Sequence, residues 1–275
     1  MNLFDQKVST SNWLSIEDLC PVQQKKWREQ ARSCGVFPDL PKLSAHSETL
    51  QTMMGMSVYR SLINEIRSVV EPLIEISSTP MLYLFTDKNG ILLDYFGSTE
   101  IMDGLNRIHV RAGTSFALTE AGINAISLSM KLKDRVYLKG EEHCLRIFQG
   151  WSCICSPVRY RGQIVGYIDF SFSAQESCSH AMILLMRTVS VVEQRMRSRD
   201  DRNDRLECYM NDFKLAPREK EVAKLWLENR SVLFIASKCN ITEGTVRNVI
   251  KKVYRKVGVQ DKGDFYRKLL AKSSG

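Results

Sequence analysis

No apolar run in this 275-residue chain reaches the roughly 18 residues that a membrane-spanning helix needs, so a membrane partner is not expected. The chain opens without the basic stretch and apolar core of a secretory leader. Its eight cysteines, at 20, 34, 144, 153, 155, 178, 208 and 239, follow no paired framework, which excludes a disulfide-stapled scaffold. Reduced thiols and a cytoplasmic location are the expectation. Internal repeats at solenoid periods are also absent. The Cys-x-Cys of Cys153 and Cys155 beside the single His143 is not a usual structural-zinc spacing, so neither a metal nor any other cofactor is expected.

What is present is the composition of a soluble globular protein, 44% apolar and 25% charged, with room for one large or two modest domains. The net charge of +8 is placed unevenly. Residues 214–275 carry +9 and residues 1–213 carry −1. Basicity confined to the carboxy-terminal fifth suits a phosphate-binding module attached to a neutral partner domain.

The most informative stretch is Leu215–Gln260. Thr242 is a good N-cap, and the spacing predicts a helix from about Glu243 to Val257. Val246, Val249, Ile250, Val253 and Val257 recur at three- and four-residue steps and form one apolar stripe. Arg247, Asn248, Lys251, Lys252 and Arg255 take the remaining surface. Arg can pair with guanine and Asn with adenine, while Lys neutralises phosphate, so such a surface suits a major groove. A shorter apolar-periodic segment, Ser231–Cys239, precedes it across the turn Asn240–Ile241–Thr242, which is helix-turn-helix spacing. Read on its own, the segment is equally a small basic helical domain with a solvated charged face.

The residues Leu215, Pro217, Arg218, Glu219, Glu221, Val222, Ser231, Ile235, Ala236, Ile241, Thr245, Val246, Asn248, Lys256 and Val259 resemble the pattern of the LuxR/GerE-type helix-turn-helix. That resemblance implies double-stranded DNA as partner. It places Arg247, Asn248 and Lys251 where the family reads base edges, and Thr245 and Lys252 near phosphates, with Arg255 on the same surface. Two departures stand out. Val249 replaces the usual His, and Val232, Leu233 and Phe234 replace a polar trio, leaving Leu233 and Phe234 as a small apolar surface. That surface is either ordinary scatter of exposed hydrophobes or a docking patch for the sensor or for RNA polymerase.

Upstream, residues 1–20 show no strong pattern, although Trp13, Leu14 and Ile16 could pack. A short helix follows with Trp27, Ala31 and Cys34 on one face, ended by Gly35 and Pro38. Residues 47–77 read as one long helix with Leu50, Met53, Met54, Val58, Leu62, Ile66, Val69 and Leu73 along a stripe. Two apolar runs around Asp87–Lys88–Asn89–Gly90 predict a hairpin. A helix is predicted from about Glu120 to Lys131, a strand at RVYLKG, and a second hairpin turning at Arg161–Gly162. Antiparallel strands with helices packed on one face make an α+β domain. Residues 176–213 carry the stripe Met182, Leu185, Met186, Val189, Val192 and Met196, a densely charged middle, then Leu206, Tyr209, Met210 and Phe213. They predict a continuous helix of about 35 residues, hinged at its charged centre.

Gly122, Asn124, Ala125, Ile126, Glu142, His143, Trp151, Cys153, Pro157, Gly162, Gly166 and Asp169 resemble the motifs of a GAF domain, and more closely the sensor of acetoin-catabolism-type regulators. Those regulators follow the sensor with an ATPase, whereas this chain has no G-x-x-x-x-G-K-[ST], so a remodelling ATPase role is not expected. The resemblance implies a small-molecule pocket with Asn124, Glu142, His143, Trp151, Cys153 and Asp169 as candidate ligand-binding residues. Asp169, in an otherwise apolar strand, would be costly to bury unpaired. It faces solvent, meets Arg159 or Arg161, or binds the ligand. Packing is the plain alternative for Cys153 and Trp151, and core hydrogen bonding for His143.

The expected organisation is an N-terminal helical segment at 1–46, a GAF-like sensor at 47–175, a linker and dimerisation helix at 176–213, and the DNA-binding domain at 214–275. The expected fold is an α+β GAF-like sensor, an antiparallel sheet flanked by helices, joined by a long helix to an all-α four-helix LuxR-type domain. The expected function is a homodimeric transcription regulator with no catalytic residues. A thiol redox enzyme or sensor of the methionine sulfoxide reductase type, and a GAF domain binding a protein partner, are the alternatives.

Overall fold

The computed structural model describes residues 13–271 other than 41 and 78. The chain divides into two compact units, residues 1–197 and 198–275.

The first unit is built on a five-stranded antiparallel sheet in the order β2-β1-β5-β4-β3. The strands are β1 (Met81–Asp87), β2 (Leu92–Gly97), β3 (Val136–Lys139), β4 (Trp151–Tyr160) and β5 (Gln163–Ser173). Both predicted hairpins form. In the first, Asp87 accepts from the Asn89 and Ile91 N–H groups at 2.9 and 2.8 Å, and Gly90 takes a positive φ of 84°. In the second, Arg161 and Gly162 both take positive φ, the combination that a two-residue turn between twisted strands requires.

Helices cover both faces of the sheet, not one. One face carries Met81, Tyr83, Phe85, Ile154, Val158, Ile168, Phe170 and Phe172. It packs on α3 (Ser57–Ile76) and the first half of α7 (Cys178–Asp212). The other carries Leu82, Leu84, Cys153, Cys155 and Tyr167 under α1 (Pro21–Ser33), α4 (Thr99–Arg107), α5 (Leu118–Ala121) and α6 (Ala125–Leu132). The polar residues alternating along β5, Asp169 and Ser171, therefore point into a covered core and are both buried. Of the alternatives open for Asp169, a solvent-facing position is thereby removed.

The expected helix over 47–77 is two helices, α2 (Ser47–Gly55) and α3, broken where Met56 adopts an extended backbone of ψ 127° after the weak helix former Gly55. The buried stripe of α3 is Tyr59, Leu62, Ile63, Ile66 and Val70, so Val58, Val69 and Leu73 lie at its edge. The helix expected at 120–131 is likewise two, because Gly122 turns to φ 67° and Asn124 then caps α6 by accepting from the Ser127 N–H at 2.9 Å. In α1, Trp27 and Ala31 are buried as expected, but Cys34 at the C-cap is exposed and Val36 is buried instead. Trp13 and Ile16 are buried, and Leu14 bridges to Val136; residues 1–12 lie outside the described residues.

The stretch 178–212 is one helix, α7. Within the first unit it buries Met182, Leu185, Val189, Val192 and Met196, while Met186 stays exposed. The boundary between the two units falls after Arg197, inside the charged stretch.

The second unit holds α8 (Pro217–Leu227), α9 (Val232–Cys239), α10 (Glu243–Val257) and α11 (Lys262–Ala271). Ser231 caps α9, Asn240 ends it at φ 51°, Thr242 caps α10 and Gly258 ends that helix at φ 71°. Val246 and Ile250 pack with Val222, Ile235, Ala236 and Cys239. Val253 and Val257 pack with Tyr209, Met210, Leu215 and Phe265.

Gly166 sits opposite Asp87 where β5 pairs with β1. A Cβ there would come within 2.2 Å of the Thr86 carbonyl oxygen and 2.9 Å of the Phe85 ring. Gly166→Ala is predicted to destabilise the sensor unit by about 1–3 kcal/mol through overpacking, read as a lowered urea midpoint with an unchanged slope.

Candidate nucleic-acid interface and buried cavity

In α10, Val246, Ile250, Val253 and Val257 are buried and Val249 is half-buried. Thr245, Arg247, Asn248, Lys251, Lys252 and Arg255 are all exposed. The helical period sets Arg247, Asn248, Lys251 and Arg255 on the side opposite the valine stripe. Arg247 rests 3.7 Å from Glu243, one turn back, a loose exposed pair that a phosphate or base can displace. Thr245 Oγ1 lies 2.9 Å from Thr242 Oγ1 within the cap.

Lys252 is placed differently from its neighbours. With Lys256 it reaches the carboxylate of Glu219 on α8, at 2.9 and 2.6 Å. Glu219 also accepts from the Ala216 N–H at 2.8 Å, closing the first turn of α8. Its side chain is only 5% exposed. Burial by itself would raise this carboxyl, but Lys256, the Ala216 N–H and Lys252 outweigh it and hold the group down at about 2. Lys252 is thus both a solvent-facing cation and one of the ties between α10 and α8.

The apolar surface expected on α9 is present. Leu233 is 68% and Phe234 45% exposed, and the Arg230 guanidinium lies over the Phe234 ring.

In the first unit a cavity of about 330 Å³ lies between the sheet and the helices of the α1, α4, α5 and α6 face. Asn124, His143, Trp151, Cys153 and Asp169 all line it. Glu142 does not. It turns back to accept from the Lys139 N–H at the start of a short 3-10 turn, so its assignment to the pocket is corrected. The Asn124 amide is spent on structure. Its nitrogen donates to the Phe116 and Gly122 carbonyls at 3.0 Å each, and its oxygen caps α6.

Asp169 meets neither Arg159 nor solvent. It is 2% exposed and accepts from the Ser171 hydroxyl at 2.6 Å, and desolvation pushes its carboxyl up to about 7. His143 is buried and its pKa is lowered by desolvation, so the ring is neutral at pH 7. Cys153 and Cys155 are buried thiols pushed well above their ordinary range, by burial first and by the nearby Asp169 second. Protonated and enclosed, they are poor nucleophiles. Among the described residues no group of three or more His, Cys, Asp or Glu is placed to hold a metal ion.

Residues 24–194 match a family model described as the MimR N-terminal domain. The chain belongs to the MimR N-terminal domain family. Residues 214–269 match the model for bacterial regulatory proteins of the luxR family. A curated relative from Clostridium beijerinckii, a signal-transduction and transcriptional-control protein, is 24% identical over 187 residues. The match covers 67% of this chain and 30% of that relative's length. The crystal structure of the Escherichia coli DhaR(N)–DhaL complex superposes with a TM-score of 0.60 at 14% identity, over 70% of this chain and 65% of that one. This likeness shows the fold of the sensor unit. Type II free methionine-R-sulfoxide reductase from Thermoplasma acidophilum superposes with a TM-score of only 0.35 at 19% identity, covering 50% of this chain and 96% of that one, too loosely to bear on activity.

In the MimR-type sensor, several cavity residues had no part in the sequence reading. Ser171 was legible in principle, since it stands two residues from Asp169 on one strand and must share its face. Glu100, Phe116 and Phe148 come from three separate segments, and no local signal gathers them. In the LuxR-type domain, Glu219 matched the family pattern without its role as a tie being visible, because Lys256 is 37 positions away.

A carboxyl whose folded pKa lies below its ordinary value stabilises the fold above that ordinary value. The contribution is lost as pH falls through the folded one. For Glu219 the window runs from about 4.5 down to about 2. Glu219→Gln is predicted to cost the LuxR-type domain about 1.5–3 kcal/mol at pH 7. The gap between wild type and variant in denaturant midpoint should narrow steadily across that window.

Proposed function

We propose that this protein is a DNA-binding transcription regulator in which the MimR-type sensor binds a small-molecule effector and controls the LuxR-type reader. The observation that carries the reading is the divided surface of α10, with its valines buried and its Arg, Asn and Lys side chains on the opposite, solvent-facing side. Arg247, Asn248 and Lys251 are the base-edge readers, and Thr245, Lys252 and Arg255 hold phosphates. The protein acts as a homodimer, since two such helices presented to half-sites about one turn of DNA apart give a palindromic operator its length. Leu233 and Phe234, exposed on α9 away from the packed core, offer RNA polymerase an apolar contact. The cavity supports an effector, being concave, largely apolar and furnished with a few buried polar groups. Effector binding shifts the balance between arrangements of the α7 pair and so the spacing of the readers. The domain limits that go with this reading are 1–46, 47–175, 176–213 and 214–275, and its setting is the cytoplasm.

The buried, protonated state of Cys153 and Cys155 speaks against the thiol-enzyme reading. Arg247→Ala is predicted to cost about 1–3 kcal/mol on the specific site and to relax one base position. Lys252→Ala should weaken all duplexes alike and reduce the salt slope by about 1. Fluorescence anisotropy on specific and scrambled duplexes over a salt series checks both. Equal losses of both variants on both duplexes would remove the assigned roles.

A further inference from the structure

We propose that the sensor cavity is a site for a small organic cation: a primary ammonium on a compact apolar body, with its charge against Asp169 and its body against the aromatic wall. This deepens the effector reading above and rests on it.

The argument is a count of donors and acceptors. Among the described side chains lining the cavity, the charged ones are Glu100 and Asp169, both acidic. Asp169 is fully enclosed on β5 and receives the Ser171 hydroxyl proton at 2.6 Å. With that proton committed, the contact of 3.2 Å between Cys153 Sγ and Ser171 Oγ is made by the thiol as donor. The relay thus ends on a carboxylate compensated by a neutral hydroxyl. A buried carboxylate in that position is short of positive charge.

His143 supplies a second acceptor. Its Nδ1 lies 2.9 Å from the Gly140 carbonyl oxygen, and a carbonyl can only accept, so the ring proton is on Nδ1. Nε2 therefore carries a lone pair; it is buried and has no hydrogen-bond partner among the described residues. The Asn124 amide is already spent on backbone carbonyls, which leaves the Trp151 indole N–H as the neutral nitrogen donor among the lining side chains.

Asp169 and His143 Nε2 are therefore acceptors, and no Lys or Arg among the described residues lines the cavity beside them. A carboxylate or phosphate ligand finds no cation and meets Asp169 as a like charge. A single hydroxyl satisfies one acceptor and leaves the carboxylate uncompensated. An ammonium brings the missing charge together with several N–H donors. The rest of the wall suits the same occupant, because Phe116, Phe148 and Trp151 line the cavity and aromatic rings both attract cations and bury an apolar body. Desolvation of Asp169, which holds its carboxyl near 7, is what a missing counter-ion produces.

The test is isothermal titration of the full chain with three probes of one shape: benzylamine, benzyl alcohol and benzoate. Benzylamine should bind at least about tenfold more tightly than benzyl alcohol, with benzoate not binding. Asp169→Asn should erase the preference while benzyl alcohol still binds. Glu100→Gln, an exposed helix position that leaves the core untouched, should reduce the preference by a smaller factor and keeps the test decisive if Asp169→Asn does not fold. Benzyl alcohol binding as tightly as benzylamine, or a preference that survives both substitutions, would overturn the cation assignment and leave the effector cavity standing. Binding of none of the three would overturn both.

Discussion

One carboxylate ties α10 to the domain that carries it. Glu219 stands in the first turn of α8, closes that turn through the Ala216 N–H, and holds Lys252 and Lys256 from successive turns of α10. Val246, Ile250, Val253 and Val257 seal the same helix from below, so its tilt and rotation are set by packing and by charge together. A helix pinned on two sides leaves its third side to solvent. That third side is where Arg247, Asn248, Lys251 and Arg255 stand. The two lysines and the Ala216 N–H outweigh the cost of burying this carboxylate. The same carboxylate without its lysines would be an uncompensated charge at the helix junction.

The sensor unit obeys a related constraint with the opposite outcome. Because helices cover both faces of its sheet, the alternation along β5 cannot send Asp169 and Ser171 into water. Glu219 has its cations supplied by the protein, whereas Asp169 has a serine hydroxyl. Two buried carboxylates in one chain thus sit at about 2 and about 7 because of what faces them. One is a structural tie; the other is chemistry left open toward a cavity.

Much of this architecture was legible in the residues. The hairpin at Asp87–Gly90, the turn at Arg161–Gly162, the cap at Thr242, and the uninterrupted α7 all follow from local rules of backbone and periodicity. The LuxR-type domain was legible as a whole because its pattern is local and dense. Long-range features were not. The breaks at Met56 and Gly122 interrupt apolar patterns that periodicity alone runs straight through. Five of the six candidate residues line the cavity, but the Asn124 side chain serves as a cap and Glu142 turns back to the Lys139 N–H. Ser171, Phe116 and Phe148 join the site through tertiary packing, which no spacing encodes.

The central claim is that the exposed side of α10 selects particular duplex sequences. The most direct measurement is iterative selection of a random duplex library by the full-length chain at low salt, run in parallel with a variant in which Arg247, Asn248 and Lys251 are alanine. The account predicts enrichment of a motif with two related half-sites about one helical turn apart for the wild type, and an unenriched pool for the variant. A wild-type pool that stays random, or the same motif recovered by both proteins, would contradict it.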